Sequence, residues 1–409
     1  MALAGGVLGR RGRLVCVLSP TRLPRHHGGR WGGAVASLTP PTVHRLDCGL
    51  VVVAQPLPHA SVTSAHLWFE AGAADEAPEQ AGSAHFVEHL LFKGTATRGI
   101  GAAAAEIEGL GGDLNAWTSL DETCLHATVA DSATELALDV LFDMARGALF
   151  DPEELERERS VVLEEIRGYE DDPDGIASDR LAARVFSDHP YGRPVLGTVQ
   201  TVGSLDREGL ISFWRRHYHP ERAILIVAGP IEPDLLHTQV EALCRGWRPG
   251  APRAALAPPR AHPGGAELIE GDFGSVVITL GWPTPAANHA DGPALDVLAQ
   301  GLARGASSRL VVRLELGAGV ASQLWATNDA LRVAGQLSIG FVTGETEAAL
   351  ALTLAELERV AAQGLTPDEV HRARDGLLAD LLFVRETTDG LAGELAWATA
   401  RAGGPGGIG

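Results

Sequence analysis

Three residues within five positions could hold a metal ion and activate a water. His85 and His89 are four apart, so on a helix their imidazoles lie on one face and can bind a single zinc ion. Glu88, three residues after His85, lies on the edge of that face and can reach a metal-activated water without being a ligand. The order H-x-x-E-H is the mirror of H-E-x-x-H. A buried amphipathic helix with two hydrogen-bonded histidines would carry the same letters, so the remaining donors matter. A catalytic zinc takes three protein ligands and leaves one position open. The segment 151–170 offers Glu153, Glu154, Glu156, Glu158, Glu164, Glu165 and Glu170. Glu158 and Glu165 are seven apart, two helical turns, and share a face. One could bind metal while the other orients a ligand histidine.

These donors need two helices. Ser83 to Phe92 has helical character. Residues 151–170 carry the best-marked helix: Asp151 as cap, Pro152 in the first turn, Glu154 completing a capping box, and Asp171-Asp172-Pro173 as the stop. Leu155, Val162 and Ile166 give it an apolar stripe, and Val161-Val162-Leu163 predicts burial just before Glu164-Glu165. Around them, residues 50–54, 64–69 and 223–228 read as strands. Residues 117–130 alternate like a half-buried strand, and 134–149 are apolar at helical spacing.

Residues 246–265 are rich in Pro, Gly and Ala and read as a linker. The pattern then restarts: strand 275–280, helix 294–302, strand 336–341, helix 346–362, and a helix opened by Thr366-Pro367-Asp368-Glu369. The predicted fold class is α+β, with two related domains joined by the Pro/Gly-rich linker, each a mostly antiparallel sheet flanked by helices. The expected divisions are a disordered leader over 1–42, a zinc-binding domain over 43–245, the linker, and a second domain over 266–409. That last part is shorter than the first and closes on GGPGGIG, so it is expected to be incomplete.

The chain has 33 Lys+Arg against 52 Asp+Glu, a formal net charge of −19. Such acidity argues against nucleic acid and anionic membranes as partners. No run approaches the ~18 apolar residues of a membrane helix, so no transmembrane segment is expected. Cys16, Cys48, Cys124 and Cys244 form no C-x-x-C pair and read as scattered thiols. Residues 1–46 hold seven arginines and no acidic residue, so the acidity belongs to the rest of the chain. The apolar patch Leu14 to Leu18 is too short for a secretory core. The cytoplasm is the expected location, with an organelle or export through the Arg-rich start, where Arg10-Arg11 stands, as the alternative.

Five segments together resemble one family, the pitrilysin/insulinase zinc peptidases, in its mitochondrial processing peptidase-like bacterial subgroup. AGSAHFVEHLLFKGT (81–95) resembles the family's zinc helix, GGDLNAWTSLDET (111–123) its substrate strand, and ERERSVVLEEI (156–166) its third-ligand helix. HPYGRPVLGT (189–198) and HYHPERAILIVAGPIE (217–232) also match. The resemblance implies a zinc endopeptidase cleaving extended peptides. It implies His85, His89 and Glu165 as zinc ligands, Glu88 as general base, and Glu158 as the glutamate that orients a ligand. It also implies that Asn115 and Ala116 begin a strand that pairs with substrate backbone.

The second half departs from the family pattern. Active members carry an Arg and a Tyr where this chain holds Glu315 and Ser322; Arg313 substitutes only if the register slips by two. The family uses that pair to anchor substrate and stabilise the oxyanion. A homo- or heterodimer with a homologous chain is therefore expected, the partner supplying the missing pair. A non-catalytic or partner-dependent structural subunit is the alternative. The acidic body predicts a preference for basic peptides.

Overall fold

The structure, a computed structural model, describes residues 13–18 and 40–401 except 252, 261–263 and 272. Expectations for residues 1–12, 19–39 and 402–409 fall outside the described residues. The chain forms two compact units, and neither is a continuous stretch of sequence.

The unit holding His85 gathers residues 40–168, Arg193–Ala257 and the chain from Asp380 onward. Its six strands are β2 (Thr42–Arg45), β3 (Val51–Pro56), β4 (Val62–Phe69), β5 (Asp113–Thr118), β6 (Thr123–Ala130) and β7 (Ala223–Gly229). They are ordered β2-β3-β7-β4-β6-β5, antiparallel except for the parallel pair β3/β7. The central β7 is apolar throughout and fully buried, as a strand covered on both faces must be. One face carries α1 (Ser83–Leu91), α2 (Ala102–Glu108), α3 (Thr134–Gly147), α4 (Pro152–Glu170), α6 (Val199–Ser204), α7 (Arg207–His217) and α8 (Pro233–Leu243). Phe86, Val87 and Leu90 of α1 and Leu155, Val162 and Ile166 of α4 join Leu67 and Leu125 of the sheet in that core. The other face is covered by α12 (Thr388–Arg401), whose Leu391 and Leu395 pack against Trp68, Ile224 and Ile226.

The second unit contains β1 (Arg13–Leu18), β8 (Gly265–Glu270), β9 (Val276–Thr284), β10 (Ser322–Ala330) and β11 (Gly335–Thr343), ordered β10-β11-β9-β1-β8. Only β1/β9 is parallel. The helices α9 (Gly292–Ala303), α10 (Thr346–Gln363) and α11 (Pro367–Val384) belong to this half of the chain, with a π-helical turn at Val311–Gly317. The helix α5 (Pro173–Phe186), from the earlier half, packs on β9 and β1.

The units therefore depart from the expected boundaries at 43–245 and 266–409. Each sheet has one face that its neighbouring helices leave uncovered. The chain covers it with a helix from the other half: α5 on one sheet, α12 on the other. Burial of apolar sheet surface drives both placements. Part of the stretch expected as a leader is regular structure. Arg13–Leu18 forms a strand antiparallel to β8 and parallel to β9. Its backbone satisfies donors and acceptors of two strands that would otherwise face an open slot. The helix starts differ too. Asp151 caps α4, accepting from the Glu153 and Glu154 amides, but the Glu154 side chain pairs with Arg157, so no capping box closes. At α11 the box is complete: Thr366 N donates to Glu369, and Glu369 N to Thr366 Oγ1.

Candidate active site

The donor set begins with α1. It starts at Gly82, whose φ of 94° suits glycine, and a Cβ there would meet the Leu196 carbonyl at 2.7 Å. Gly82 has no side chain to cap the helix. Glu76 does so from outside, its buried carboxylate accepting from Gly82 N at 3.0 Å and Ala84 N at 2.7 Å. Burial pushes this carboxyl up to about 8, against the pull of the two amides. With Phe86, Val87 and Leu90 in the core, His85 and His89 face α4 at the half-buried edge, their ring centroids 4.6 Å apart.

Across from them, Glu165 Oε2 lies 3.7 Å from His85 Nε2 and 3.5 Å from His89 Nε2. All three donor atoms lie within 4.8 Å of one another. Ligands about 2.0–2.1 Å from a tetrahedral zinc sit roughly 3.3 Å apart, so the triad fits that ion with small adjustments. His89 Nδ1 is 3.1 Å from Glu158 Oε2, and Glu158 Oε1 takes Lys93 Nζ, the chain's only lysine, at 2.8 Å. With Nδ1 donating to Glu158, Nε2 keeps its lone pair toward the triad. Burial, reinforced by the neighbouring His89, lowers His85 to about 4, which keeps its ring neutral and able to ligate. The neighbouring Glu164 instead pairs with Arg167.

Glu88 is held apart from the triad. Thr118 Oγ1 donates to Glu88 Oε2 at 2.5 Å. Burial raises the Glu88 carboxyl, and the Thr118 bond opposes that rise. Thr118 ends β5, the edge strand of its sheet, which also carries Asn115 and Ala116. Asn115 is exposed, and its Oδ1 accepts from Ala116 N at 2.8 Å. The residues singled out in the sequence thus fall into two groups: His85, His89, Glu165 and Glu158 in direct contact, and Asn115 and Ala116 on the edge strand. Thr118 links the second group to Glu88.

Sequence reasoning missed Thr118, Lys93 and Glu76. Thr118 and Lys93 lie inside the motif segments, so their position was the available signal. Glu76 acts on amides six and eight residues away through a loop, which no periodicity reveals.

Residues 51–199 match the family described as Insulinase (Peptidase family M16), and residues 204–377 match the Peptidase M16 inactive domain. A zinc protease of Streptomyces coelicolor, named as uncharacterized, is 34% identical over 373 residues, covering 87% of this chain and 81% of its own. The chain belongs to the insulinase family, peptidase family M16. An uncharacterized zinc protease of Bacillus subtilis is 30% identical to this M16 chain, with 85% of each covered. A crystal structure of a protease from Helicobacter pylori has the same fold, with TM-score 0.79 at 24% identity over 88% of this chain and 90% of that one. Zinc is the metal of this group of relatives, and the M16 chain carries a donor set that accepts it. M16 peptidases act on peptides. Among the described residues no helix is long and apolar enough to cross a membrane.

Proposed function

We propose that this M16 chain is a zinc-dependent endopeptidase that hydrolyses extended peptides. The observation that carries the reading is the convergence of His85, His89 and Glu165 on one point, with Glu88 beside them but bonded elsewhere. When bound, zinc would supply Lewis-acid polarisation of the peptide carbonyl and acidify a water. Glu88 takes a proton from that water as its oxygen bonds to the carbonyl carbon. The same carboxyl returns the proton to the amine as the C–N bond breaks. Thr118 keeps Glu88 aimed while the proton is carried. Glu158, anchored by Lys93, holds His89 in orientation. The edge strand β5 pairs with substrate backbone through Asn115 and Ala116, which explains why an extended peptide is the expected substrate.

The test is one preparation measured for zinc content and for cleavage of a quenched peptide library, with and without chelator, beside Glu88→Gln. Chelator-sensitive cleavage that is lost in a Glu88→Gln variant with full zinc is expected. Cleavage indifferent to both treatments overturns the proposal.

A second reading rests on Glu315 and Ser322. Both are exposed, on the π-helical turn and at the start of β10, where the resemblance expects Arg and Tyr. Under it the chain supplies the metal half of the site and a homologous partner supplies the anchoring pair. Activity that appears only when a homologous chain is added, together with a heterodimer by light scattering, selects this reading.

A further inference from the structure

The sheet that carries the zinc helix on one face holds a second donor cluster on the other, under α12. His66 of β4 and His126 of β6 are direct partners in the antiparallel ladder, so both rings project from the same face. Their centroids are 5.1 Å apart. Asp389, in the first turn of α12, reaches between them. Its Oδ1 lies 2.8 Å from His66 Nε2 and 3.6 Å from His126 Nδ1. The three donors fall within 4.8 Å of one another.

A simple clamp of helix onto sheet would need only the His66 bond. The second imidazole adds another buried ring nitrogen directed at the same carboxylate. His126 Nδ1 is buried, aims at the same oxygen, and stops beyond hydrogen-bonding distance. The flank is already ordered: Ser64 Oγ lies 2.7 Å from both Thr128 Oγ1 and Thr388 Oγ1, fixing the start of α12 against β4 and β6. His66 is buried, whereas the Asp389 side chain is half exposed, so an ion has a way in and a water can complete its coordination.

We propose that His66, His126 and Asp389 form a second metal site, for a borderline divalent ion such as zinc, that fastens α12 to the sheet. Two imidazoles with one carboxylate suit zinc, cobalt or nickel; magnesium and calcium prefer all-oxygen sets. A small outward shift of Asp389 would open the 2.8 Å contact to ligand spacing and bring His126 Nδ1 into use. The role is structural. Among the described residues, Asp389 is the carboxylate in contact with these two rings.

The test separates this site from the first. The full-length His85→Ala/His89→Ala variant is dialysed against buffered Zn2+ and analysed for bound metal, then loaded with Co2+ for its visible spectrum. One retained equivalent, with a tetrahedral or five-coordinate cobalt band, is expected. Adding Asp389→Asn or His126→Asn should weaken that binding at least ~10-fold and abolish the zinc-dependent rise in Tm. A folded His85→Ala/His89→Ala variant that binds no metal overturns the inference and leaves the proposed function standing. So does binding that neither added substitution weakens. Circular dichroism of each variant distinguishes a lost site from a lost fold.

Discussion

Two histidine pairs in one unit each point at a single carboxylate oxygen, and they are built from different elements. His85 and His89 lie one turn apart on α1, with Glu165 brought by a second helix. His66 and His126 lie across a strand pair, with Asp389 brought by a helix from the far end of the chain. In the first triad both nitrogens stand 3.5–3.7 Å from the oxygen, which leaves room at the centre. In the second, one hydrogen bond closes one side at 2.8 Å. The first has a carboxylate base beside it and an edge strand within reach of that base. The second lies between a sheet and its covering helix. Under the two proposals, the same donor types would serve chemistry where a base and a substrate strand adjoin them, and fastening where a sheet and a helix enclose them.

The largest effect should come from Glu88. Glu88→Gln keeps the shape and the Thr118 contact but cannot take a proton, and turnover should fall by about 10²–10⁴ with zinc content unchanged. A variant that cleaves at near wild-type rate would place the base elsewhere and remove the distinction between the two triads. Next is the support of the first triad. Glu158→Gln loses the charge that holds His89 and Lys93, so zinc affinity should fall about 10–100-fold, read by competition with a chromophoric chelator. No change would mean that packing alone orients His89.

The contrast also explains what was legible in the sequence. The first triad rests on the period of a helix: His85 and His89 at four, Glu158 and Glu165 at seven. Both spacings survive whatever the tertiary structure does. The second triad depends on the register of β4 against β6 and on where α12 docks, so its residues are 60 and more positions apart without periodic relation. α12 itself went unread because Gly390 and Gly393 lower its helix propensity, and burial of Leu391 and Leu395 supplies its stability. β10 was missed because its half-exposed face shows no clean alternation. The place of β1 could not be read either. Val15 and Val17 mark a strand-like run, but the slot that receives it is made by β8 and β9, some 250 residues on.

Acid sensitivity separates two groups at α1 that act in opposite directions. His85 is lowered to about 4 in the fold. The unfolded chain therefore binds its proton first, between about 6.5 and 4. Stability from this group is complete above about 6.5 and lost as pH falls through that window. In metal-free protein, His85→Gln should lose less stability on acidification than wild type, by on the order of 1–3 kcal/mol. Glu76 works the other way. Raised to about 8, it takes up a proton on folding, so its contribution declines as pH rises from about 4.5 to 8. Glu76→Gln should remove that decline while costing about 1–3 kcal/mol at low pH, where one amide of α1 loses its acceptor. Urea titrations of both variants across pH 4–8 measure the two slopes. Parallel slopes in wild type and variant would show that neither group is coupled to folding.

The smallest expected effect concerns substrate charge. A net charge of −19 suggests strong attraction of basic peptides toward the first triad. The local arrangement weakens that expectation. On α4, Glu156 pairs with Arg159, Glu164 with Arg167, and Glu153 approaches Arg157, so much of the acidity of the third-ligand helix is met within one turn. Such exposed pairs contribute little stability, but they do cancel field at a distance. The preference for a basic over an acidic peptide of equal length should therefore be only about two- to fivefold at low salt, and should vanish as the Debye length shortens to about 8 Å at physiological ionic strength. Matched peptides assayed from low to physiological salt provide the measurement. A preference that persists at physiological salt would mean that a specific carboxylate, rather than the general field, reads the substrate. Glu165 would not be that group if it is committed to metal, which leaves the exposed edge of β5 as the place to look.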